Sequence, residues 1–195
     1  IPLLKVANIN SGADVTISCL TSAYARVLPA QAIQKFGLQI GDGIFVLGES
    51  EFQLFIHKVF KQKHQKPFIK NSEITRYMID KTERRYLIYL DWDSKLDDFP
   101  RIKQHLERFR PIMEDQIARY EETYPWWALH RPREQAVFES VKIVNPQHGQ
   151  EPVFAYSDEP LYASRDVYYI TSLEDIRESI FYLLGILNSK LIRFW

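Results

Sequence analysis

Residues Tyr124 to Arg133 read YPWWALHRPR. Two adjacent tryptophans precede a histidine and two arginines, with Pro125 and Pro132 fixing the backbone on either side. Guanidinium groups are planar forks that donate in pairs, and indole rings are flat and apolar. Together they suit phosphate oxygens and base edges better than a metal, a sugar phosphate or a lipid. The competing reading is a Trp-anchored loop whose arginines are merely solvated. Charge distribution bears on the choice. The net charge is 0, which as a global figure counts against nucleic acid. Yet Lys58 to Arg85 holds nine Lys or Arg against three acids, a local excess of six, balanced by Asp91 to Asp98 and Glu121-Glu122. A basic segment inside a neutral domain fits a one-sided contact with an anionic surface, and a solvated charge run is the alternative.

Catalytic constellations are missing. Asn145-Pro146 opens like the Asn-Pro-Pro-aromatic tetrapeptide of adenine methyltransferases, but Gln147 and His148 follow in place of the second proline and the aromatic. Glu139-Ser140-Val141-Lys142 is one residue too long for a nuclease Glu-x-Lys half-site. Gly41-Asp42-Gly43 lacks the third glycine of a dinucleotide loop, and no phosphate loop exists. The five histidines lie at 57, 64, 105, 130 and 148, without metal-ligand spacing. His105 falls beside an apolar helix face and reads as structural, and Cys19 as a packed thiol.

The elements that must position these residues are short and mixed. Val15 to Leu20 is β-branched and reads as a strand. Pro29 and Gly37 bracket a short helix. Gly41 to Gly43 is a turn before the apolar run Ile44 to Leu47, with which Gln53 to Ile56 is expected to pair. Lys61 to Lys66 reads as a basic loop, Tyr86 to Leu90 as the clearest strand, and Asp91 to Phe99 as an acidic connection. From Pro100, the residues Ile102, Leu106, Phe109, Met113, Ile117 and Tyr120 repeat at helical spacing, with Pro111 expected to kink or divide the helix. Val141 to Val144, Val153 to Tyr156 and Val167 to Ile170 read as strands. Glu174 to Trp195 reads as a helix or a helix pair broken near Gly185 to Asn188, too interrupted by polar residues to span a membrane. The sum is a mixed α/β (α+β) fold of 195 residues with a short-stranded mixed sheet, a long Pro-interrupted helix and C-terminal helices. Ile1-Pro2 and the uncapped Trp195 read as the cut ends of a larger chain. The single cysteine excludes an internal disulfide framework.

Several segments, in order, resemble the target-recognition (TaqI-like C-terminal specificity) domain of adenine-specific DNA methyltransferases and fused type II restriction-modification enzymes. They are Lys66 to Tyr77 (KPFIKNSEITRY), Tyr86 to Tyr89, Phe99 to Leu106 (FPRIKQHL), Pro125 to Arg133 (PWWALHRPR) and Phe138 to Pro146 (FESVKIVNP). Phe154, Val167 to Ile170 and Leu183 to Phe194 (LLGILNSKLIRF) follow, and Gly37 to Leu47 loosely resembles an upstream glycine turn. Asn71 departs from a common glycine. The order and spacing carry the resemblance, not one motif.

What the resemblance implies is a division of labour. An N-terminal methyltransferase domain of the same parent chain binds S-adenosylmethionine and flips the adenine. The present segment clamps the duplex and reads bases, is itself non-catalytic, and holds no cofactor; Mg²⁺ enters only where a nuclease is fused. The whole of 1–195 is then a single double-stranded-DNA recognition domain. Within it, 1–60 is a strand and turn part, 61–172 the core of the resemblance, and 173–195 a helical end. A bacterial or archaeal cytoplasmic setting follows, with no membrane partner.

Under this reading Lys66 and Lys70 are sequence-neutral phosphate contacts. Arg76 touches phosphate or forms an internal salt bridge. His130, Arg131 and Arg133 are DNA-binding candidates, one arginine to phosphate and one to guanine O6 and N7. Lys142 is expected to reach phosphate, and Ser164 and Arg165 to read bases. One of Trp126 and Trp127 is an anchor, and Asn188-Ser189 caps a helix break. The alternative function is a protein-docking module, such as a specificity subunit, that uses its terminal helix.

Overall fold

Strands and helices interleave through the described residues. The computed structural model describes residues 7–12, 17–55, 65–120, 123–172 and 179–194. The strands are β1 (Ala7–Ser11), β2 (Val46–Gly48), β3 (Gln65–Ile69), β4 (Arg85–Ile88), β5 (Lys142–Pro146), β6 (Ala155–Ser157), β7 (Tyr162–Ala163) and β8 (Val167–Ser172). The helices are α1 (Ser22–Ala25), α2 (Ala30–Phe36), α3 (Glu49–Phe55), α4 (Pro100–Glu107), α5 (Arg110–Tyr120), α6 (Gln135–Glu139), α7 (Ile180–Leu187) and α8 (Lys190–Phe194). Two units result. The sheet unit comprises Ile1–Ala13, Pro67–Arg84 and Arg133–Trp195, and the helical unit Asp14–Lys66 and Arg85–Pro132.

In the helical unit, α2 runs between the proline and glycine that the sequence marked. Gly37 closes it at φ 60°, a left-handed position where a side chain would be strained, and its N–H bonds back to Gln34 and Ile33. The long helix divides as expected: α4 ends at Glu107 and α5 begins at Arg110, with Pro111 in the first turn, where its missing N–H costs nothing. Ile102, Leu106, Phe109, Ile112 and Met113 are buried, each burial stabilising by about 1.5–3 kcal/mol. The break restarts the helical phase, so Ile112 points inward and Ile117 is only half-buried. His105 is internal, as its position beside the apolar face suggested. Its Nε2 donates to the Ile44 carbonyl at 2.9 Å and its Nδ1 accepts from Arg108 at 2.6 Å.

Three expectations are corrected here. Gln53 to Ile56 is not a strand: α3 occupies Glu49–Phe55, and Ile56 lies outside the described residues. Tertiary bonds fix this helix. The Glu51 carboxylate accepts from Gly43 N–H at 2.9 Å and Gly48 N–H at 3.0 Å, and Phe52 stacks on Tyr86 at 4.3 Å. Gly43 is needed there, because a Cβ would come within 2.4 Å of the Val46 carbonyl oxygen. Of the strand expected at Val15 to Leu20, the first two positions lie outside the described residues, and the rest is a turn with one bridge, Cys19 to Gly43. Of the loop expected at Lys61 to Lys66, 61–64 lie outside the described residues, and Gln65 and Lys66 open β3.

The sheet unit is an antiparallel sheet in the order β1-β8-β5-β6. β8 pairs with β1 from Ala7↔Ser172 to Ser11↔Tyr168, and with β5 from Lys142↔Thr171 to Pro146↔Val167. Beside it, β3 and β7 pair in parallel at Phe68↔Tyr162 and Ile69↔Ala163. One apolar cluster joins Ile143, Phe154, Ile170 and Leu184, so α7 covers β5, β6 and β8. The Phe138 ring of α6 meets Tyr162 at 4.5 Å and Tyr169 at 5.1 Å. Asn188 ends α7, and its amide bonds both ways with the Phe154 backbone, at 3.1 Å and 2.9 Å. The helix break thus serves packing. The N-terminal residues expected in this helix, 174–178, lie outside the described residues.

Candidate nucleic-acid interface

The antiparallel register brings one set of loop residues to a single end of the sheet. β1 ends at Ser11, β8 begins at Val167, β5 ends at Pro146 and β6 begins at Ala155. Backbone bonds lock the loops there. Gly12 N–H donates to the Val167 carbonyl at 2.8 Å, Gln147 N–H to Asp166 at 2.7 Å, and Tyr77 N–H to Phe154 at 2.9 Å. Gly12 admits no side chain, since a Cβ would lie 2.1 Å from the Ser164 carbonyl oxygen. Tyr77 bridges Ala155 in parallel and so extends the edge beyond β6. Strands about 4.8 Å apart make this end roughly 19 Å wide, the rise of about five to six base pairs.

Cations are spread across that width. Arg133 is exposed and donates to Ser11 Oγ at 3.1 Å, beside the end of β1. Arg165 is exposed in the β7–β8 turn, where Ser164 Oγ is tied to Asp166. Lys70 is exposed one residue beyond the Ile69↔Ala163 pair, which sets it beside Ser164. Arg76 is half-buried, contacts Glu151 at 3.5 Å, and keeps its Nε buried without a partner. Surface pairs of that length contribute little, so the guanidinium is available for exchange onto a stronger acceptor. The local acids are engaged in the turns: Glu73 accepts from Lys70 N–H at 2.9 Å, Asp166 from Ser164, and Glu151 from Arg76. Arg76 therefore shows the internal pair that the sequence left open, in a weak form.

Two candidates are corrected. Lys142 is 0% exposed, and its Nζ donates to the Ser140 carbonyl at 2.6 Å and the Glu159 carbonyl at 2.8 Å. Burial pushes its pKa down to about 8, with Asp158 and Glu139 opposing. It lies at the other end of β5 and closes that end internally. His130 is 7% exposed, packed 5.2 Å from the Tyr124 ring. Both lack the surface that a phosphate needs. Arg131 is exposed and Lys66 half-buried, both in the helical unit.

The tryptophans of YPWWALHRPR hold their loop in place. Trp127 Nε1 donates to the Ser94 carbonyl at 3.1 Å, and Trp126 lies edge-on to it at 5.8 Å with Arg110 over its ring at 5.0 Å. Trp92, from the acidic connection, donates to the Leu129 carbonyl at 3.0 Å and stacks on Tyr124 at 5.9 Å. The sequence expected one anchor; the structure gives a packed aromatic group.

The sequence profile of the TaqI-like C-terminal specificity domain matches residues 66–195. The chain belongs to this family. The fold is also that of part of a solved restriction-modification enzyme, the Type IIL enzyme MmeI in complex with DNA. The likeness has a TM-score of 0.58 at 15% identity and covers 98% of this chain and 22% of that one. The present specificity domain thus spans about a fifth of the enzyme chain it resembles. Among the described residues, no helix is long and apolar enough to cross a membrane, and no three His, Cys, Asp or Glu residues are grouped to hold a metal ion.

Two residues of this specificity domain's sheet end escaped the sequence reading. Gln147 and His148 are exposed in the β5–β6 loop, between the Arg165 turn and Arg76. They stood out only as departures from a methyltransferase tetrapeptide. The usable signal was a polar run, QHGQ, between two strands; its place beside Arg165 depends on the β5–β8 register.

Proposed function

We propose that this specificity domain recognises a sequence in double-stranded DNA for a restriction-modification enzyme, and performs no chemistry itself. The observation that carries the reading is the convergence of Lys70, Arg76, Arg133, Gln147, His148, Ser164 and Arg165 on one sheet end in a chain of this family. Arginine and glutamine are the side chains that pair bidentately with guanine and adenine edges, while lysine and the remaining arginines hold phosphates. The parent chain is an N6-adenine methyltransferase, with a nuclease in fused forms. S-adenosylmethionine, and Mg²⁺ for a nuclease, belong to those other domains. The whole of 1–195 acts as one recognition domain.

A salt titration tests the reading. Four surface cations at the sheet end limit the slope of log affinity against log salt to roughly −3 to −4, at about −0.9 per phosphate. Binding of a mixed-sequence duplex with a slope of that size supports DNA recognition. A flat slope, or methyl transfer from labelled S-adenosylmethionine by this chain alone, contradicts it. One observation favours a second reading, protein docking by the terminal helix: Phe181, Tyr182, Ile186 and Leu191 are 59%, 62%, 38% and 65% exposed. Such an interface would be insensitive to salt.

A further inference from the structure

At the outer edge of the sheet end, residues Thr75 to Met78 form a tight turn. Thr75 N–H and Oγ1 both donate to the Met78 carbonyl, at 2.9 Å and 3.0 Å, and Ile74 bridges Ile79 below it. Tyr77 holds φ at 70°, and among the described residues it alone, of those other than glycine, has a positive φ. That backbone region is unfavourable for a bulky side chain and is kept only where the surroundings enforce it, here by the bond to Phe154. The turn gains nothing from burying what it displays. Tyr77 is 49% exposed and Met78 69% exposed. A strained turn therefore presents a flat ring and a flexible apolar chain to solvent, next to the Arg76 guanidinium.

We infer that Tyr77 and Met78 make an apolar contact with DNA bases beside the polar contacts of the sheet end, reading thymine methyl groups. The inference rests on the DNA-recognition reading above. The thymine 5-methyl is the apolar group that the major groove offers, and apolar side chains, aromatic rings among them, are what discriminate it. Cation and ring arrive on one turn, so Arg76 on a phosphate would set the distance of the ring from the base edges. The strain keeps the ring outward when DNA is absent, so no reorganisation precedes binding.

The test compares the whole chain with its Tyr77→Gly, Met78→Ser and Tyr77→Phe variants on a mixed-sequence 30-base-pair duplex and on the same duplex with uracil replacing every thymine. Wild type should bind the thymine duplex about tenfold more tightly than the uracil duplex. Tyr77→Gly and Met78→Ser should each lose most of that preference with an unchanged salt slope, because an apolar contact releases no counterions. Tyr77→Gly should melt close to wild type, since relieved strain offsets the lost half-buried ring, and Tyr77→Phe should behave as wild type. If wild type binds DNA and the variants keep its thymine preference, the inference is overturned while the function stands. Early melting of Tyr77→Gly together with wild-type discrimination by Met78→Ser would also overturn it, making the turn a packing element. Failure of wild type to bind either duplex sinks the function reading itself.

Discussion

At its first residue, β5 carries a cation that the fold turns inward; past its last residue, the same strand leads into a loop that displays polar side chains. Lys142 is capped by the Ser140 and Glu159 carbonyls, whereas Gln147 and His148 stand exposed beside Arg165. The difference is one of backbone supply. At the Lys142 end two carbonyls lie unpaired by the ladder and recruit the ammonium. At the other end backbone pairs with backbone, Gly12 N–H with the Val167 carbonyl and Gln147 N–H with the Asp166 carbonyl, while the Gln147 and His148 side chains face outward. Residue type does not separate the buried cation from the displayed ones; the backbone carbonyls within reach of Lys142 do.

The largest effect should come from the inward end. Lys142→Ala takes the ammonium from the Ser140 carbonyl, leaves the Glu159 carbonyl with Ser157 Oγ as its donor, and opens a cavity; it should cost about 3 kcal/mol in urea unfolding, with Lys142→Met costing about half as much. Loss of DNA affinity with unchanged stability would break the comparison. Next is His105, a buried polar group of the helical unit. Its pKa is pushed down to about 4, first by burial and then by the Arg108 charge, against hydrogen bonds from its ring to the Ile44 and Gly43 carbonyls. It stays neutral in the fold, while the unfolded chain takes up a proton near pH 6.5. Between those values the unfolded state binds more protons, so stability should fall as pH drops from 6.5 through 4, by about 3 kcal/mol in all. A His105→Gln variant with the same acid profile would assign that loss elsewhere. The smallest effect is at the displayed end. Arg133→Ala and Arg165→Ala should melt as wild type and each lose about 1–3 kcal/mol of DNA binding if they touch bases, or about one unit of salt slope if they touch phosphate. Early melting of both would make that end structural and erase the contrast.

Helices with long periods and punctuation were legible in the sequence: α2 from Pro29 and Gly37, and the α4–α5 pair from its apolar repeat and Pro111. The short α3 was not. Its four-residue apolar run fits either period, and what selects the helix is remote, namely Glu51 reaching the amides of Gly43 and Gly48. Lys66 was assigned to a loop for the same reason, since β3 is fixed by pairing. At the candidate interface, the exposed turn positions of Arg133 and Arg165 were legible as arginines beside turns. His130 was misplaced because its burial depends on packing against Tyr124 from the same loop. Gln147 and His148 were invisible as a site because only the β5–β8 register sets them beside Arg165.

Selection from a randomised duplex pool tests the central claim most directly. The intact chain would be mixed with the pool at low salt, and the bound fraction sequenced, for wild type and for Arg165→Ala and Gln147→Ala. The account predicts a short enriched sequence of about five to six base pairs for wild type, matching the width of the sheet end. Each variant should relax one position and leave the others intact. A bound fraction as random as the input, or a motif unchanged in both variants, would contradict it.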